Sequence, residues 1–378
     1  MRSLELVASP AFSATADFVR PSRAVVRVLS GLPALEELDG RWDTLLARQP
    51  LPNPTLSSTW LRAAARWETG TPLVAVVEEG GLLLAGAALE VRHGGRFSPR
   101  VATWLGPARQ LVSPDVLARP DRPEAAQALL AGVFEAADVL SVWTQASGVA
   151  AQALAAVAPW RRVVGTNDRW LLPWPAPRLD YARERAAYEV RRALRRGARV
   201  EVRVATLPAE TEAALLRLFR VHRDRWRDRA EETPRFATTA EHRRWNRGVV
   251  RDLAVDGHVR IAEVLEDGRA VAGCLGFVHG HGGLGHTWAV RPGGEMRQPG
   301  HVAVLACVDA LATAGATVID LGLGSGGPNT PKARLGSLPD PAVAILAAGA
   351  RSRQRPYEAI QGAALAGRRL HDAVVRGR

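Results

Sequence analysis

The residues from Val290 to Leu305, VRPGGEMRQPGHVAVL, have the composition of an anion-binding turn. An apolar run ends at Val290, a glycine-rich loop follows, and a helix is predicted to begin at Pro299, whose missing N–H suits a first helical turn. The free N–H groups of that turn, the helix dipole and the Arg297 side chain would together favour a pyrophosphate. An ordinary glycine turn before a helix has the same composition, so both interpretations stay open.

The helix start in this segment lacks the two best-defined phosphate-binding signatures. Neither GxxxxGK[ST] nor GxGxxG opens the predicted helix. These are the turns with which nucleoside triphosphatases and dinucleotide-dependent dehydrogenases hold their phosphates. The segment therefore disfavours both enzyme classes.

Positive charge is concentrated in one part of the chain. The formal net charge is +12, and residues 178–251 hold 20 arginines against 11 acidic residues, a local net charge of +9. Arg192, Arg195, Arg196 and Arg199 recur at helical spacing and would share one helix face. A solvated face explains this spacing. A phosphate-rich cofactor, an anionic substrate or a nucleic-acid backbone would also explain it, although few aromatic residues are interleaved for base stacking.

Lys332 is the sole lysine among 50 basic residues. The Ala, Gly, Pro and Arg content indicates a coding bias under which lysine drifts to arginine. A lysine that persists is therefore either a chance surface survivor or a residue with a functional or structural need.

Three histidines, His279, His281 and His286, invite interpretation as a metal site. Imidazoles two residues apart on a strand share a face, but no carboxylate or thiol stands at a supporting spacing. Cys274 and Cys307 lie in apolar segments without CxxC spacing, and Cys307 is predicted to belong to the core. We therefore expect no metal, and the cysteine usage favours a reducing compartment.

The order of predicted elements is duplicated along the 378 residues. In each half of the chain the predicted order is helices, a hairpin, a strand, a helix and a strand. A Pro- and Trp-rich segment, Trp170 to Pro177, is predicted to break regular structure between the parts. The sequence therefore predicts an α/β fold with a mixed sheet and helices on both faces. The predicted divisions are an N-terminal lobe (1–170), a linker (171–183), a C-terminal lobe (184–350) and a C-terminal helix (351–378).

Targeting and membrane signals are weak. The first residues lack an uninterrupted apolar stretch of signal-peptide length. The longest apolar run, Pro341 to Ala350, is about half the length that a membrane-spanning helix needs. We predict a cytoplasmic protein without membrane insertion.

Several segments of the second part, taken in order, resemble one family. They are the arginine-rich helix, VEVRV, a helix ending in HRDRW, GRAVAGCLGFVHG, the helix that begins with PG, and VIDLGLG followed by PKARLG. Arg178 to Ser337 thus resembles the CelD/BcsL-like acyltransferases of the GNAT superfamily, and the residues around Asn53 to Trp67 agree more loosely. The resemblance implies two tandem GNAT-like lobes, as in Fem-type peptidyltransferases, which matches the duplicated order of elements.

The resemblance implies that the C-terminal lobe binds acetyl-CoA or another acyl-CoA as co-substrate. Backbone N–H groups near Trp288 to Val290 would hold the thioester carbonyl. The family's pyrophosphate motif, R/Q-x-x-G-x-G/A, is matched except at its last position, where this chain has valine. The predicted cofactor-binding residues are therefore Val290 on the strand and Arg297, Gln298, Gly300, His301 and Val302 of the motif.

Asp320, His286 and Lys332 are the catalytic candidates that the resemblance implies. Asp320 or His286 would act as base or relay while an amine attacks the thioester. Lys332, at the family's lysine position, would orient an anionic group of the acceptor or stabilise the site electrostatically. The structural alternatives are an arginine partner for Asp320 and simple exposure for His286. The predicted substrate-binding residues are Arg192, Trp226 and Arg334.

Three function classes follow. The first is an acyl-CoA-dependent N-acyltransferase acting on a small-molecule amine or an amino sugar. The second is Fem-like aminoacyl transfer from charged tRNA, with the arginine-rich segment as the RNA contact. The third is a catalytically inactive protein of the same fold that binds nucleic acid or a partner.

Overall fold

The fold was analysed in a computed structural model that describes residues 24–350 with short gaps. Outside the described part are 1–23, 39, 68–69, 94–98, 107–113, 177, 228–235, 238, 292, 325–330 and 351–378. The predicted C-terminal helix therefore lies outside the described residues.

The described chain folds into a mixed α/β structure, as predicted. Its strands are β1 (Val25–Ser30), β2 (Thr71–Glu79), β3 (Leu82–His93), β4 (Arg100–Trp104), β5 (Leu117–Ala118), β6 (Val139–Gln145), β7 (Trp160–Pro173), β8 (Val200–Ala205), β9 (Val259–Glu266), β10 (Arg269–His279), β11 (Gly282–Val290), β12 (Val318–Leu323) and β13 (Leu338–Ala348). Its helices are α1 (Leu32–Glu37), α2 (Arg41–Ala47), α3 (Ser58–Trp67), α4 (Glu124–Ala136), α5 (Val149–Val157), α6 (Leu179–Arg195), α7 (Pro208–Trp226), α8 (Ala240–Val255), α9 (Pro299–Thr313) and α10 (Pro331–Arg334).

One continuous sheet runs through both halves of the chain. Its order is β1-β2-β3-β4-β6-β13-β7-β12-β11-β10-β9-β8, and β5 pairs with β3. In each half an antiparallel meander leads to a parallel pair joined by a helix: β4 and β6 around α4, and β11 and β12 around α9. The duplicated order predicted from the sequence is thus present as two lobes with the same order of elements.

The two lobes share strands at the centre of the sheet. β13, the last described strand, lies between β6 and β7, and β7 in turn pairs with β12. The expected break at Trp170 to Pro177 is therefore wrong for its first half, because Trp170 to Pro173 continue β7. The apolar run Pro341 to Ala350 forms most of β13, where five consecutive residues are buried.

Local signals explain most helix boundaries. The helical periodicity of residues 34–48 is divided between α1 and α2, because Gly40 has φ 70°, which no residue of a right-handed helix adopts. Thr239 caps α8 by accepting a hydrogen bond from the His242 N–H. Gly197, with φ 88°, follows the end of α6.

The lobes pack through a common apolar core. Helix α3 of the N-terminal lobe packs on α8 of the C-terminal lobe. The rings of Trp60 and Phe277 meet edge to face, with centroids 4.7 Å apart. Because both rings are fully buried, the lobes are held against each other by core packing as well as by the shared sheet.

Candidate active site

The central feature of the C-terminal lobe is a gap between two neighbouring strands. β11 and β12 pair in parallel only from Gly282 opposite Val318 to Leu284 opposite Asp320. Both strands continue beyond that point without pairing to each other. We call the opening between Gly285–Val290 and Leu321–Leu323 the wedge. Its edges present backbone N–H and C=O groups that strand pairing does not satisfy.

A β-bulge lies on the β11 side of the wedge. Thr287 is opposite Leu275 and Gly285 is opposite Gly276, so His286 is the extra residue. Bulges re-aim side chains beside functional sites. Here the bulge directs His286 to the Phe277 ring, with centroids 5.6 Å apart.

The environment of His286 makes it a weak base. Besides Phe277, the Phe236 ring lies with its centroid 6.0 Å away, and Nδ1 of His286 is 2.8 Å from Oγ1 of Thr287. Burial lowers the pKa of His286 to about 3. The ring is therefore neutral at physiological pH and a poor proton acceptor.

Lys332 reaches the wedge from α10. Its Nζ donates hydrogen bonds to the carbonyl oxygens of Gly322 and Leu323, both at 2.9 Å, and lies 5.6 Å from the centroid of the Trp288 ring. The lysine thus joins the end of β12 to the far side of the opening. Burial lowers the pKa of Lys332 to about 8, although nearby Asp320 opposes the shift.

Asp320 is held in a buried ion pair. Its carboxylate accepts a hydrogen bond from Nε of Arg169 at 2.8 Å and another from the Gly322 N–H at 2.7 Å. The side chains of Asp320 and Arg169 are only 3% and 2% exposed. This is the structural alternative anticipated for Asp320, and a carboxylate committed in this way is poorly suited to act as the base.

Carboxylates occupy the backbone N–H groups of the loop just before α9. The Glu266 carboxylate accepts hydrogen bonds from the N–H groups of Glu295 and Met296, and the Glu189 carboxylate accepts one from the N–H of Arg297. These three N–H groups are therefore not available to a pyrophosphate. The first turn of α9 and the Arg297 side chain, on which the predicted anion site depends, take no part in these hydrogen bonds.

Packing explains other residues of the expected pyrophosphate motif. A Cβ atom added at Gly300 would lie 2.5 Å from Cγ2 of Val290, so a side chain there would collide with β11. Val302 is buried in the core, and the side-chain oxygen of Gln298 faces Arg185 at 3.4 Å. Only His301 of this motif lines an open space.

That space is a cavity of about 320 Å³ between α6, α9 and α10. Its lining residues are Tyr181, Ala182, Arg185, His301, Leu305, Arg334 and Leu335. Burial, with Arg185 and Arg334 nearby, lowers the pKa of His301. The described residues place no carboxylate within ion-pair distance of either arginine. The cavity therefore offers two guanidinium groups without an acidic partner in the described part of the chain. Arg334 is two residues from Lys332, and Arg185 faces the Gln298 side chain at the start of α9.

The remaining predicted substrate residues lie apart from each other. Arg192 is half-buried on α6 and faces Glu189 at 3.6 Å. Trp226 ends α7, where its ring lies 6.4 Å from that of His222. Of the three predicted substrate residues, only Arg334 lines the cavity.

The arginine row on α6 differs from the expected one. Because α6 ends at Arg195 and Gly197 turns away, Arg199 is outside the helix and its N–H donates to Asp267. Two members of the expected row, Arg192 and Arg195, share one face of α6 with three further residues by their i, i+4, i+7, i+11 and i+14 spacing. We call this set the α6 stripe: Tyr181, Arg185, Tyr188, Arg192 and Arg195.

Sequence reasoning missed Arg185 and the exposed tyrosines. Aromatic residues are few in this arginine-rich segment, yet Tyr181 is 62% and Tyr188 50% exposed. Their spacing from Arg185 was the available signal, because residues four and three apart are neighbours on a helix surface.

The described residues contain no group of three or more His, Cys, Asp or Glu side chains placed to hold a metal ion. Among them, no helix is long and apolar enough to cross a membrane. Cys274 and Cys307 are both buried in the core.

Comparison with known proteins agrees with this geometry. Residues 183–327 match the family model described as an acetyltransferase (GNAT) domain. No curated protein matches the chain.

Two solved structures show the same fold across both lobes. The crystal structure of FemX covers 86% of this chain and 98% of its own, with 12% identity and a TM-score of 0.59. The C-terminal domain of a protein assigned as a lysylphosphatidylglycerol synthetase from Agrobacterium fabrum covers 87% of this chain and 97% of its own, with 13% identity and a TM-score of 0.52. The chain therefore carries an acetyltransferase (GNAT) domain in its C-terminal half and is a transferase.

Proposed function

We propose that the protein is a cytoplasmic, CelD/BcsL-like N-acyltransferase that transfers an acyl group, such as acetyl, from acyl-CoA to an amine of a small molecule or amino sugar. The wedge between β11 and β12 carries this proposal. It lies inside the residues that match the acetyltransferase domain. Its unpaired strand edges can hold an extended thioester by backbone hydrogen bonds.

In its described part, the N-terminal lobe has no open wedge between the corresponding strands, β4 and β6. This supports the C-terminal lobe as the one that binds the acyl donor. β4 and β6 pair in parallel only at Val101 and Ala102. The indole N–H of Trp104 then donates to the Trp143 carbonyl oxygen at 2.7 Å and bridges the two strands. We keep residues 1–170 and 184–350 as the two lobes, with 171–183 passing between them.

The residues fit an acyl-CoA in part. The wedge suits the thioester end, and the cavity with Arg185 and Arg334 suits a phosphate-bearing carrier. The loop amides of residues 295–297 do not suit a pyrophosphate, because Glu266 and Glu189 already accept their hydrogen bonds. We therefore assign the phosphate contact to the cavity. The bound thioester would supply an electrophilic carbonyl carbon.

Lys332 is the residue best placed to receive the proton that the attacking amine loses. His286 is too weak a base and Asp320 is committed to Arg169. A lysine whose pKa is lowered to about 8 has a substantial neutral fraction near neutral pH. In its protonated form the same lysine would orient an anionic group of the acceptor or stabilise the site electrostatically, as the sequence predicts.

The test measures thiol release from acetyl-, propionyl- and longer acyl-CoA with a panel of amines, together with thermal shifts. We expect a thioester to raise the melting temperature and at least one amine to release thiol. Lys332→Met should lower kcat/KM roughly a hundredfold, with the fold confirmed by circular dichroism. If no thioester raises the melting temperature and no amine releases thiol, the proposal fails.

The α6 stripe favours a second candidate, aminoacyl transfer from charged tRNA. Arg185 and Arg195 have no acidic partner among the described residues, and the exposed tyrosines alternate with the arginines. Guanidinium groups contact phosphates and exposed rings stack on bases.

Retention of tRNA at several salt concentrations separates the candidates. The triple variant Arg185→Glu, Arg192→Glu, Arg195→Glu should abolish salt-dependent retention, whereas Arg161→Glu, Arg162→Glu on β7 should leave it unchanged. Absence of retention at low salt in the unmodified protein would remove this candidate.

A further inference from the structure

The amine of Lys332 lies at the β12 edge of the wedge. Its Nζ is bound to two carbonyl oxygens of β12 and faces the Trp288 ring across the opening. Gly324 makes room for it, because a Cβ atom at that position would lie 3.0 Å from Nζ. The only primary amine that a side chain of this sequence can offer is thus placed where the proposed thioester would be held.

The hydrogen bonds of Lys332 suit a neutral amine. A neutral amine has two N–H donors and one lone pair, and the structure provides two carbonyl acceptors. No carboxylate of the described residues lies within ion-pair distance of Nζ. The nearby Asp320 carboxylate is paired with Arg169 instead. Both carbonyls can therefore be satisfied while the lone pair stays uncommitted.

We infer that Lys332 is a self-acylation site, at which Nζ takes the acyl group from the bound thioester when no acceptor amine is present. This inference rests on the proposed function. The Nζ lone pair attacks the thioester carbonyl carbon, a C–N bond forms and the C–S bond breaks. The thiolate leaves, and the proton lost by Nζ yields the free thiol. No oxidant or further reactant is needed.

Self-acylation of Lys332 would inhibit the enzyme. An Nε-acyl-lysine cannot carry a positive charge and has one N–H, so it can satisfy only one of the two β12 carbonyls and cannot accept a proton. The amide bond is stable, unlike a thioester. The acylated protein should therefore have the low turnover of Lys332→Met.

Peptide mass spectrometry tests the inference directly. The full-length protein is incubated with isotopically labelled acetyl-CoA without an acceptor, and label is mapped to individual peptides. Because Lys332 is the sole lysine, the amino-terminal amine is the only other primary amine that can form a stable amide. The matched controls are the protein unfolded in urea and the variant Lys332→Arg.

We expect label on Lys332 in the folded protein, at least about tenfold faster than in urea, because burial increases the neutral fraction of this amine. Lys332→Arg should abolish the label. Equal labelling in urea, or label confined to the amino terminus, would overturn the inference.

The outcome can be separated from that of the proposed function. Thiol release with an acceptor amine but no label on Lys332 overturns self-acylation alone. If label, thiol release and thermal shift are all missing, both proposals fail.

Discussion

The Arg169–Asp320 pair ties β7 to β12 at the junction of the two lobes. Both side chains are almost completely buried, and Asp340 on β13 lies 3.7 Å from the same guanidinium. Burial raises the pKa of Asp340. Removing one member of a buried pair leaves an uncompensated charge, which costs far more than the pair itself contributes.

Asp320→Ala should therefore lower the free energy of unfolding by about 3–5 kcal/mol, as measured by urea denaturation. Arg169→Met combined with Asp320→Leu and Asp340→Asn should lose much less, because it removes the three charges of this cluster together. A variant Asp320→Ala of unchanged stability that has lost turnover would instead support Asp320 as the base.

His222 should make stability depend on acid. The ring is buried against Phe236, and burial lowers its pKa from 6.5 to about 4, with Arg225 adding to the shift. The unfolded chain therefore binds a proton that the folded chain excludes, so stability is lost as pH falls from 6.5 towards 4. The loss from this residue is about 3 kcal/mol.

His222→Phe keeps a ring at this site and removes the titrating group. The slope of unfolding free energy against pH reports the number of protons taken up on unfolding. Between pH 6.5 and 4 we expect that number to be smaller by up to one in the variant. Urea denaturation across this range measures it. An unchanged slope would mean that His222 is already protonated in the folded protein.

The chemistry at the residue scale was only partly predictable from the sequence. The sequence identified Lys332 by its rarity, and the structure places it at the wedge. It could not show that Arg169 pairs with Asp320, because 151 residues separate them. Roles that depend on such distant partners require the fold.

Among the elements, the first turn of α9 packs closely against β11. The short distance between a Cβ at Gly300 and Val290 implies that this glycine is required for helix–strand packing. The Val290 side chain cannot easily rotate away from a new Cβ atom at position 300, because a β-branched side chain has few allowed rotamers.

Gly300→Ala should destabilise the protein by about 1–3 kcal/mol, and Val290→Ala in the same chain should restore much of the loss. A double-mutant cycle on melting and urea unfolding measures this coupling. If the two effects simply add, the glycine is needed for another reason, such as close approach of a ligand.

Local patterns predicted some elements well and others not at all. Strand β8 and helices α7 and α9 follow their periodicity and turn signals closely. β7 was missed because its exposed half carries arginine, asparagine and aspartate without an apolar face. β13 was recognised only as an apolar run, since its partners β6 and β7 are remote in sequence.

At the scale of the whole molecule, the lobes cannot be independent. β13 pairs with β6 along seven residues and with β7 along eleven. Without β13 these two strands would expose unpaired edges in the middle of the sheet.

We therefore expect residues 24–178, expressed alone, to be insoluble or to lack a cooperative unfolding transition. Co-expression with residues 179–350 should give a soluble 1:1 complex, which size-exclusion chromatography and thermal melting would detect. A cooperative transition in the first piece alone, at the melting temperature of the intact protein, would contradict the shared-strand architecture.

The position of β13 also sets the timing of folding during synthesis. Gln145 of β6 cannot form its strand pair until Ala342 has been synthesised. The ribosome adds Ala342 roughly 10 to 40 seconds after Gln145. Domains usually fold from the amino terminus as they emerge, but this N-terminal lobe cannot close its sheet until β13 has been synthesised. Nascent chains should therefore expose an apolar edge until β13 emerges and depend on chaperones that shield such edges.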